Sequence, residues 1–453
     1  MSLASLMRFA SKPSEVHFEP FISAGPEHAI APDCSDMAKT IISLFSGAMG
    51  LDIGLEKAGF KTLVALEMNK TAVATIKLNK PGLPVIDRDI ALVESDELLK
   101  AAGATPGEVT VVTGGPCCQT FSTAGRRQSI RDKRGGLFRE FLRIVSDTRP
   151  RFFVMENVKG ILSAAVRHRP LDKRGPKCRY LRKDEELGSA LKVILRELGA
   201  LGYYVIYGLV NCADYGVPQK RMRVLFIGSR DGEQISLPTA THSENGRSKW
   251  VTLREALHDL READPEFIEF TADRKGLLRR LQAGQNWRNL PKDLHEEALG
   301  GAFDSWGGRS GFCRRLNWDK PAPTLTTSPD GRATTLCHPT ELRPLTVREY
   351  ARLQQFPDEW KFGGTVYRRY DLIGNAVPVG LGTAIGKMLS STIRKTASQR
   401  NYPPKAKCGT VECVDELLAE WLRNRPRTKL HPASVRKANT PEASKRWLRR
   451  VAA

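Results

Sequence analysis

The 453-residue chain has no run of about 18 consecutive apolar residues, so the sequence offers no candidate membrane span. It has no CxxC pair. Its nine cysteines are odd in number and irregularly spaced, which supports neither a zinc ribbon nor a thioredoxin-type motif, and no metal site is expected. The N-terminus lacks the apolar core of a secretory signal, and residues 1–37 read as a poorly ordered leader in a protein of a reducing compartment. No internal repeat is present, and no GxGxxG fingerprint of a dinucleotide site. What the chain does have is positive charge. Its 71 Lys and Arg stand against 50 Asp and Glu, a net of +21, and such a surplus favours a polyanionic partner, nucleic acid before membrane.

Short apolar, β-rich runs alternate with helical spacing from Thr40 onward. Strands are expected at 40–45, 62–67, 84–90, 109–115 and 151–157, with helices after the first, second and fourth. That rhythm implies an α/β protein with a parallel, doubly wound sheet. A basic loop (163–185) interrupts it before a helix and two more strands, 203–210 and 224–229. Residues 232–338 are rich in Gly, Pro, Trp and Arg and read as a second, smaller, irregular domain. Helical spacing resumes at 346–356 and 379–389. The last 63 residues hold 15 Lys and Arg against 5 Asp and Glu, with one amphipathic helix expected over 411–422.

Several strings carry chemistry. FSGAMG lies between the first strand and helix, where glycines let a ligand approach the backbone and a helix N-terminus offers free N–H groups. Glu67 ends the second strand, twenty residues after Gly47, in the position of a carboxylate on ribose hydroxyls. Asp89 follows the third strand, in reach of an adenine edge. With no pyrophosphate-binding fingerprint, the pattern favours an adenosyl ligand such as S-adenosylmethionine over a nicotinamide dinucleotide. GGPCCQTFS places Cys118 beyond the fourth strand, as a thiolate nucleophile or a buried structural thiol. Glu156 follows the apolar FFVM, so burial is expected to raise its pKa and suit it to proton donation. Arg221 and Arg223, two apart on a strand, are expected to share one face and to aim at an electron-rich ligand.

Taken together and in order, these strings resemble the DNA (cytosine-5)-methyltransferase family. FSGAMG is similar to its first motif, GGPCCQTFS to its nucleophile motif, ENV (156–158) to its glutamate motif and QKRMR (219–223) to its QxRxR motif. RPLTVREYARLQQFPDEW and GNAVP (374–378) are similar to its ninth and tenth. The resemblance spans about 40–230 and 340–390. Three positions depart from it: Cys117 where the family has a second proline, Met49 where it often has glycine, and Met68 at a stacking position commonly aromatic.

The resemblance implies an S-adenosylmethionine-dependent, Rossmann-like catalytic domain (38–231 and 339–392), a target-recognition domain (232–338) and a basic C-terminal extension (393–453). It implies Cys118 as nucleophile on cytosine C6, Glu156 on N3 and the exocyclic amine, Arg223 on O2, and Arg221 in support. The implied cofactor pocket is Phe45, Ser46, Gly47, Gly50, Leu51, Glu67, Met68, Asp89, Ile90, Pro116 and Asn375. Arg126, Arg127, Arg131, Lys133 and Arg134, in a loop after the nucleophile, would clamp DNA, and Arg309, Arg314 and Arg315 would meet it from the recognition domain. The expected protein is a cytoplasmic, nucleoid-associated bacterial monomer acting on double-stranded DNA, of restriction–modification or orphan type, with any cognate endonuclease separate. The same chemistry on tRNA, a catalytically silent DNA-binding protein on this fold and a nicotinamide dehydrogenase are the rival readings.

Overall fold

The structure is a computed structural model, and it describes residues 39–116, 136–167, 169, 181–303, 309–398 and 406–423. Strands β1 (Thr40–Leu44), β2 (Lys61–Leu66), β3 (Val85–Ile86) and β4 (Val111–Gly114) alternate with helices α1 (Gly50–Glu56), α2 (Lys70–Asn79) and α3 (Ser95–Ala102). Then come α4 (Leu137–Thr148), β5 (Phe152–Val158), α5 (Ser189–Ala200), β6 (Tyr204–Asn211), β7 (Gln219–Lys220) and β8 (Met222–Ser229). The irregular region carries α6 (Leu253–Leu257), α7 (Ala272–Leu278), α8 (His295–Leu299) and β9 (Ala322–Pro323). Helices α9 (Val347–Leu353), α10 (Val366–Asn375) and α11 (Val379–Ser398) follow, then β10 (Val411–Cys413) and α12 (Glu416–Arg423).

The main sheet has the order β10-β6-β8-β5-β4-β1-β2-β3. The order reverses between β1 and β4, the switch point at which doubly wound folds open a crevice beyond the strand ends. The sheet is not all parallel, as expected from sequence: β8 runs antiparallel to both β5 and β6. The link from β6 to β8 is too short for a parallel crossover, which needs a dozen or more residues. Two other expectations shift. The third strand shrinks to Val85–Ile86, and α3, not foreseen, follows it. The amphipathic helix expected over 411–422 begins only at Glu416. Val411–Cys413 instead pairs with β6, because that strand would otherwise leave an open edge.

The strands alternate their side chains between two covered faces. Ile42, Val112, Phe153 and Met155 face a core shared with α3, α4 and α5, whereas Ile41, Val111, Phe152 and Val154 face one shared with α1 and α11. Residues 232–338 contribute a small core of their own around Phe270, Leu278, Trp287, Leu299 and Phe312. Contacts from residue 38 onward do not divide into further units.

Helices α1 and α11 meet backbone to backbone. A Cβ on Gly50 would lie 2.1 Å from the Val377 carbonyl oxygen, and one on Gly54 2.3 Å from that of Val379. On α11, a Cβ on Gly382 would lie 2.5 Å from the Leu51 carbonyl oxygen. The stretch Val366–Ala397 is long and apolar enough by composition to cross a membrane, but 67% of its apolar window is buried within the fold, as in a core helix. Its hydrophobicity serves the α1 contact and the sheet.

Gly54→Ala is expected to lower stability by about 1–3 kcal/mol, because the new methyl meets backbone that cannot swing away. Thermal denaturation checks it, and an unchanged midpoint would contradict the close seat of α1 on α11.

Candidate active site

Four strand ends converge on the crevice at the switch point. After β1 the chain turns through Phe45 (φ 53°), Gly47 (φ 54°) and Met49 (φ 64°), three left-handed residues within five. Only glycine takes that conformation freely, so Phe45 and Met49 each carry strain of about 1–2 kcal/mol that the surroundings must hold. Met49 stands where the family often has glycine, and its side chain is fully buried. Glu67, just past β2, closes this turn: its Oε2 accepts from the Gly47 amide at 2.8 Å and its Oε1 from the Asn69 amide at 2.8 Å. Beside it Met68 is 58% exposed, facing open space as a stacking side chain must. Past β3, Asp89 caps a short 3-10 turn by accepting from the Ala91 amide at 3.1 Å, and Ile90 is buried under it. A carboxylate, an exposed thioether and a second carboxylate along one sheet edge suit a ribose diol, an adenine face and an amino group. This donor set fits an adenosyl cofactor.

The second half of the crevice lies between β4, β5 and β8. Glu156 is buried in β5 and forms an ion pair with Arg223 Nε in β8. The burial expected for Glu156 is present, but with a counter-ion that sequence reasoning did not foresee. A Cβ on Gly115 would lie 3.1 Å from Glu156 Oε2, and Asn157 Nδ2 donates to the Pro116 carbonyl at 3.4 Å. The segment leading to Cys118 therefore leaves β4 directly against the Glu156–Arg223 pair. Cys118 itself lies outside the described residues, as do Arg126, Arg127, Arg131, Lys133 and Arg134.

The two arginines of QKRMR do not share a target, and this corrects the sequence reading. Arg221 precedes β8 and is 2% exposed. It donates to the carbonyls of Leu325 (3.0 Å), Gly374 (2.8 Å) and Ala376 (3.1 Å). It ties β7 and β9 to the end of α10. Asn375, between two of those carbonyl residues, is exposed and donates to Asp371 Oδ1 at 3.0 Å. Arg309, Arg314 and Arg315, expected on DNA from the region 232–338, are bonded within the protein. Arg315 is buried and donates to the carbonyls of Leu278, His338, Pro339 and Glu341. Arg314 donates to that of Thr335, and Arg309 to that of Ala302 while lying 5.3 Å from the Trp287 ring centre. An irregular region short of regular hydrogen bonding uses such arginines to satisfy carbonyls that strands would otherwise pair.

A family model described as C-5 cytosine-specific DNA methylase matches residues 39–391. The chain belongs to the C-5 cytosine-specific DNA methylase family. It is 35% identical over 351 residues to the type II methyltransferase M.Sau96I of Staphylococcus aureus, covering 77% of this chain and 75% of that one. It is 37% identical over 368 residues to M.PspPI of a Psychrobacter species, covering 79% and 81%. A crystal structure of a candidate prophage-encoded DNA modification methyltransferase from Escherichia coli matches with a TM-score of 0.55 and 25% identity. It covers 79% of this chain and all of that one.

Three groups of the methylase escaped sequence reasoning. Lys159, just after β5, has its pKa lowered by burial and by the nearby Arg223, so a second basic group lies close to that guanidinium. Cys212 is a fully buried thiol near the same pair. Burial pushes it up to about 12, which leaves it protonated and inert. Asp52 in α1 is 1% exposed, with Thr113 Oγ1 donating to its Oδ1 at 3.4 Å, and burial raises its pKa to about 7. Its signal was legible: in GLDIGL the aspartate sits among residues whose glycines demand close packing on every side.

Two predictions follow from these placements. Arg221→Met removes the donor from the Leu325 and Gly374 carbonyls and leaves that of Ala376 only Gln354, and is expected to cost about 3 kcal/mol, read as a drop in denaturation midpoint. An unchanged midpoint with lost activity would return Arg221 to the ligand. For Asp52 the unfolded carboxyl ionises near 3.8 and the folded one near 7, so the native state holds its proton more tightly. A destabilisation on the order of 4 kcal/mol therefore builds as pH rises from about 4 and is complete above about 7. Asp52→Asn removes it. The variant is expected to be more stable than the parent at pH 8, with the gain shrinking toward pH 5 in denaturant titrations.

Proposed function

We propose that this methylase transfers a methyl group from S-adenosylmethionine to C5 of cytosine in a specific double-stranded DNA sequence. The observation that carries the reading is the meeting of the Gly115–Pro116 segment with the Glu156–Arg223 pair, in a chain of this family. Type II relatives named as methyltransferases support a restriction–modification role. The same proposal has the protein act on DNA as a monomer in a bacterial cytoplasm, as a restriction–modification or orphan enzyme with any endonuclease separate. The region 232–338 is assigned to target recognition and the arginines and lysine of the loop after Cys118 to phosphate contact.

The chemistry follows from the residue types. A duplex hides cytosine C6, so the target base must leave the stack and enter the crevice. The Cys118 thiolate adds to C6, and the C5–C6 π electrons make C5 nucleophilic, which divides one hard step into easier ones. The cofactor supplies an electrophilic methyl on a sulfonium. Glu156 holds N3 and the exocyclic amine, and Arg223 orients Glu156 and reaches O2, so charge that develops on the ring meets fixed partners. A base, in the simplest case water, then removes the C5 proton, the S–C6 bond breaks and the thiolate leaves. Glu67 holds the ribose, Asp89 the adenine amine, and Phe45 and Met68 flank the adenine.

Cys118→Ser is expected to reduce methyl transfer by roughly 10³-fold or more while leaving DNA binding intact. Radiolabelled methyl incorporation and gel-shift binding test it, and bisulfite sequencing of DNA from expressing cells reports the target. Retained transfer in the variant would move the nucleophile elsewhere, with Cys117 the first to examine.

A further inference from the structure

Under the strained first loop lies a buried polar network that the reaction does not use. Ser43 in β1 and Thr113 in β4 are partners in the parallel register, each 1% exposed. Asp52 lies against both: Thr113 Oγ1 donates to its Oδ1 at 3.4 Å, and the Ser43 hydroxyl is close enough to the carboxyl to offset part of the rise that burial imposes on its pKa. Ser43 Oγ lies 2.9 Å from Ser46 Oγ. The Ser46 hydroxyl in turn reaches the carbonyls of Ser43 (3.2 Å) and Leu66 (3.5 Å). Ser46 sits between the left-handed Phe45 and Gly47, so this network holds the middle of the strained turn.

The charges that act on Asp52 are Glu56 on its own helix and Lys80 at the end of α2, paired with each other at 2.6 Å. β1 and β4 present it only hydroxyls. The α11 segment against Gly54 is Val379, Gly382 and Thr383, none of them charged. The one cation among the described residues that acts on this carboxyl, Lys80, is itself paired with Glu56.

We propose that Asp52 is a positioning residue for the methyl-donor site, whose protonated carboxyl heads a one-way hydrogen-bond chain through Ser43 and Ser46 that holds the first loop in its cofactor-binding shape. Each hydroxyl has one proton to give. With Asp52 protonated, it donates to Ser43, Ser43 to Ser46, and Ser46 to a main-chain carbonyl, while Thr113 donates to the other carboxyl oxygen. Every donor then has an acceptor. With Asp52 ionised, the carboxylate only accepts. It draws the Ser43 proton to itself, and Ser46 loses the donor that fixed it. Burial brings this ionisation to about pH 7, so affinity for S-adenosylmethionine falls as pH rises through that point. The inference rests on the cofactor assignment in the proposed function.

The test is calorimetric binding of S-adenosylmethionine to the full chain, to Asp52→Asn and to Ser46→Ala, from pH 6 to 8.5. In the parent protein Kd is expected to rise roughly fivefold or more across that range. Asparagine mimics the neutral acid, donating to Ser43 and accepting from Thr113, so Asp52→Asn should keep the low-pH affinity throughout. Ser46→Ala should bind weakly at every pH. Titration of the cofactor's own groups is common to all three and cancels in the comparison. An identical pH profile in parent and Asp52→Asn overturns the proposal, as does parental affinity in Ser46→Ala at pH 6. No binding by the parent at any pH instead overturns the cofactor reading beneath it.

Discussion

The seat of α1 on α11 is the constraint on which the crevice depends. Gly50, Gly54 and Gly382 let main chain approach main chain, at distances where any Cβ would overlap a carbonyl oxygen or Cα. The contact brings residues more than 300 positions apart together, so the end of α10 and the start of α11 lie beside the first loop. Arg221 fastens the same junction from the other side through the carbonyls of Gly374 and Ala376. A close backbone contact and a buried guanidinium act on one corner, and the strained turn at Phe45–Met49 stands on it.

Around that corner the protein compensates its buried carboxylates in three different ways. Glu67 rests on two main-chain amides, Glu156 on a guanidinium, and Asp52 on the Thr113 hydroxyl beside that of Ser43. The differences follow from what each element can supply. The turn after β1 has free N–H groups, β8 brings Arg223 alongside β5, and α1 is buried between a sheet face and another helix. For Asp52, burial outweighs these partners and raises the carboxyl's pKa to about 7.

Much of this was legible in the chain itself. Alternating runs such as TLVALE and VTVVTGG marked strands covered on both faces, and the spacing of Glu67 after Gly47 marked a carboxylate at the sheet edge beside the first turn. The two errors of topology have a common cause. Residue pattern reports burial and period but not the direction or the neighbour of a strand. The antiparallel β8 and the late edge strand β10 were therefore invisible until the sheet was assembled. The arginines at 309, 314 and 315 misled for a related reason, since a cluster of guanidinium groups reads the same whether it faces phosphate or the protein's own carbonyls.

The order and spacing of the chemical strings alone determined the family, the sheet-edge position of Glu67 and Glu156, and the doubly wound α/β class. These depend on local period and on residue type, which a linear chain carries. Only the tertiary structure decided that Arg223 is the counter-ion of Glu156, that Arg221 serves as a clamp, and that Asp52 is sealed beneath the first loop. Each of those facts concerns which distant groups share one small volume, and that is settled when the helices and strands close on one another.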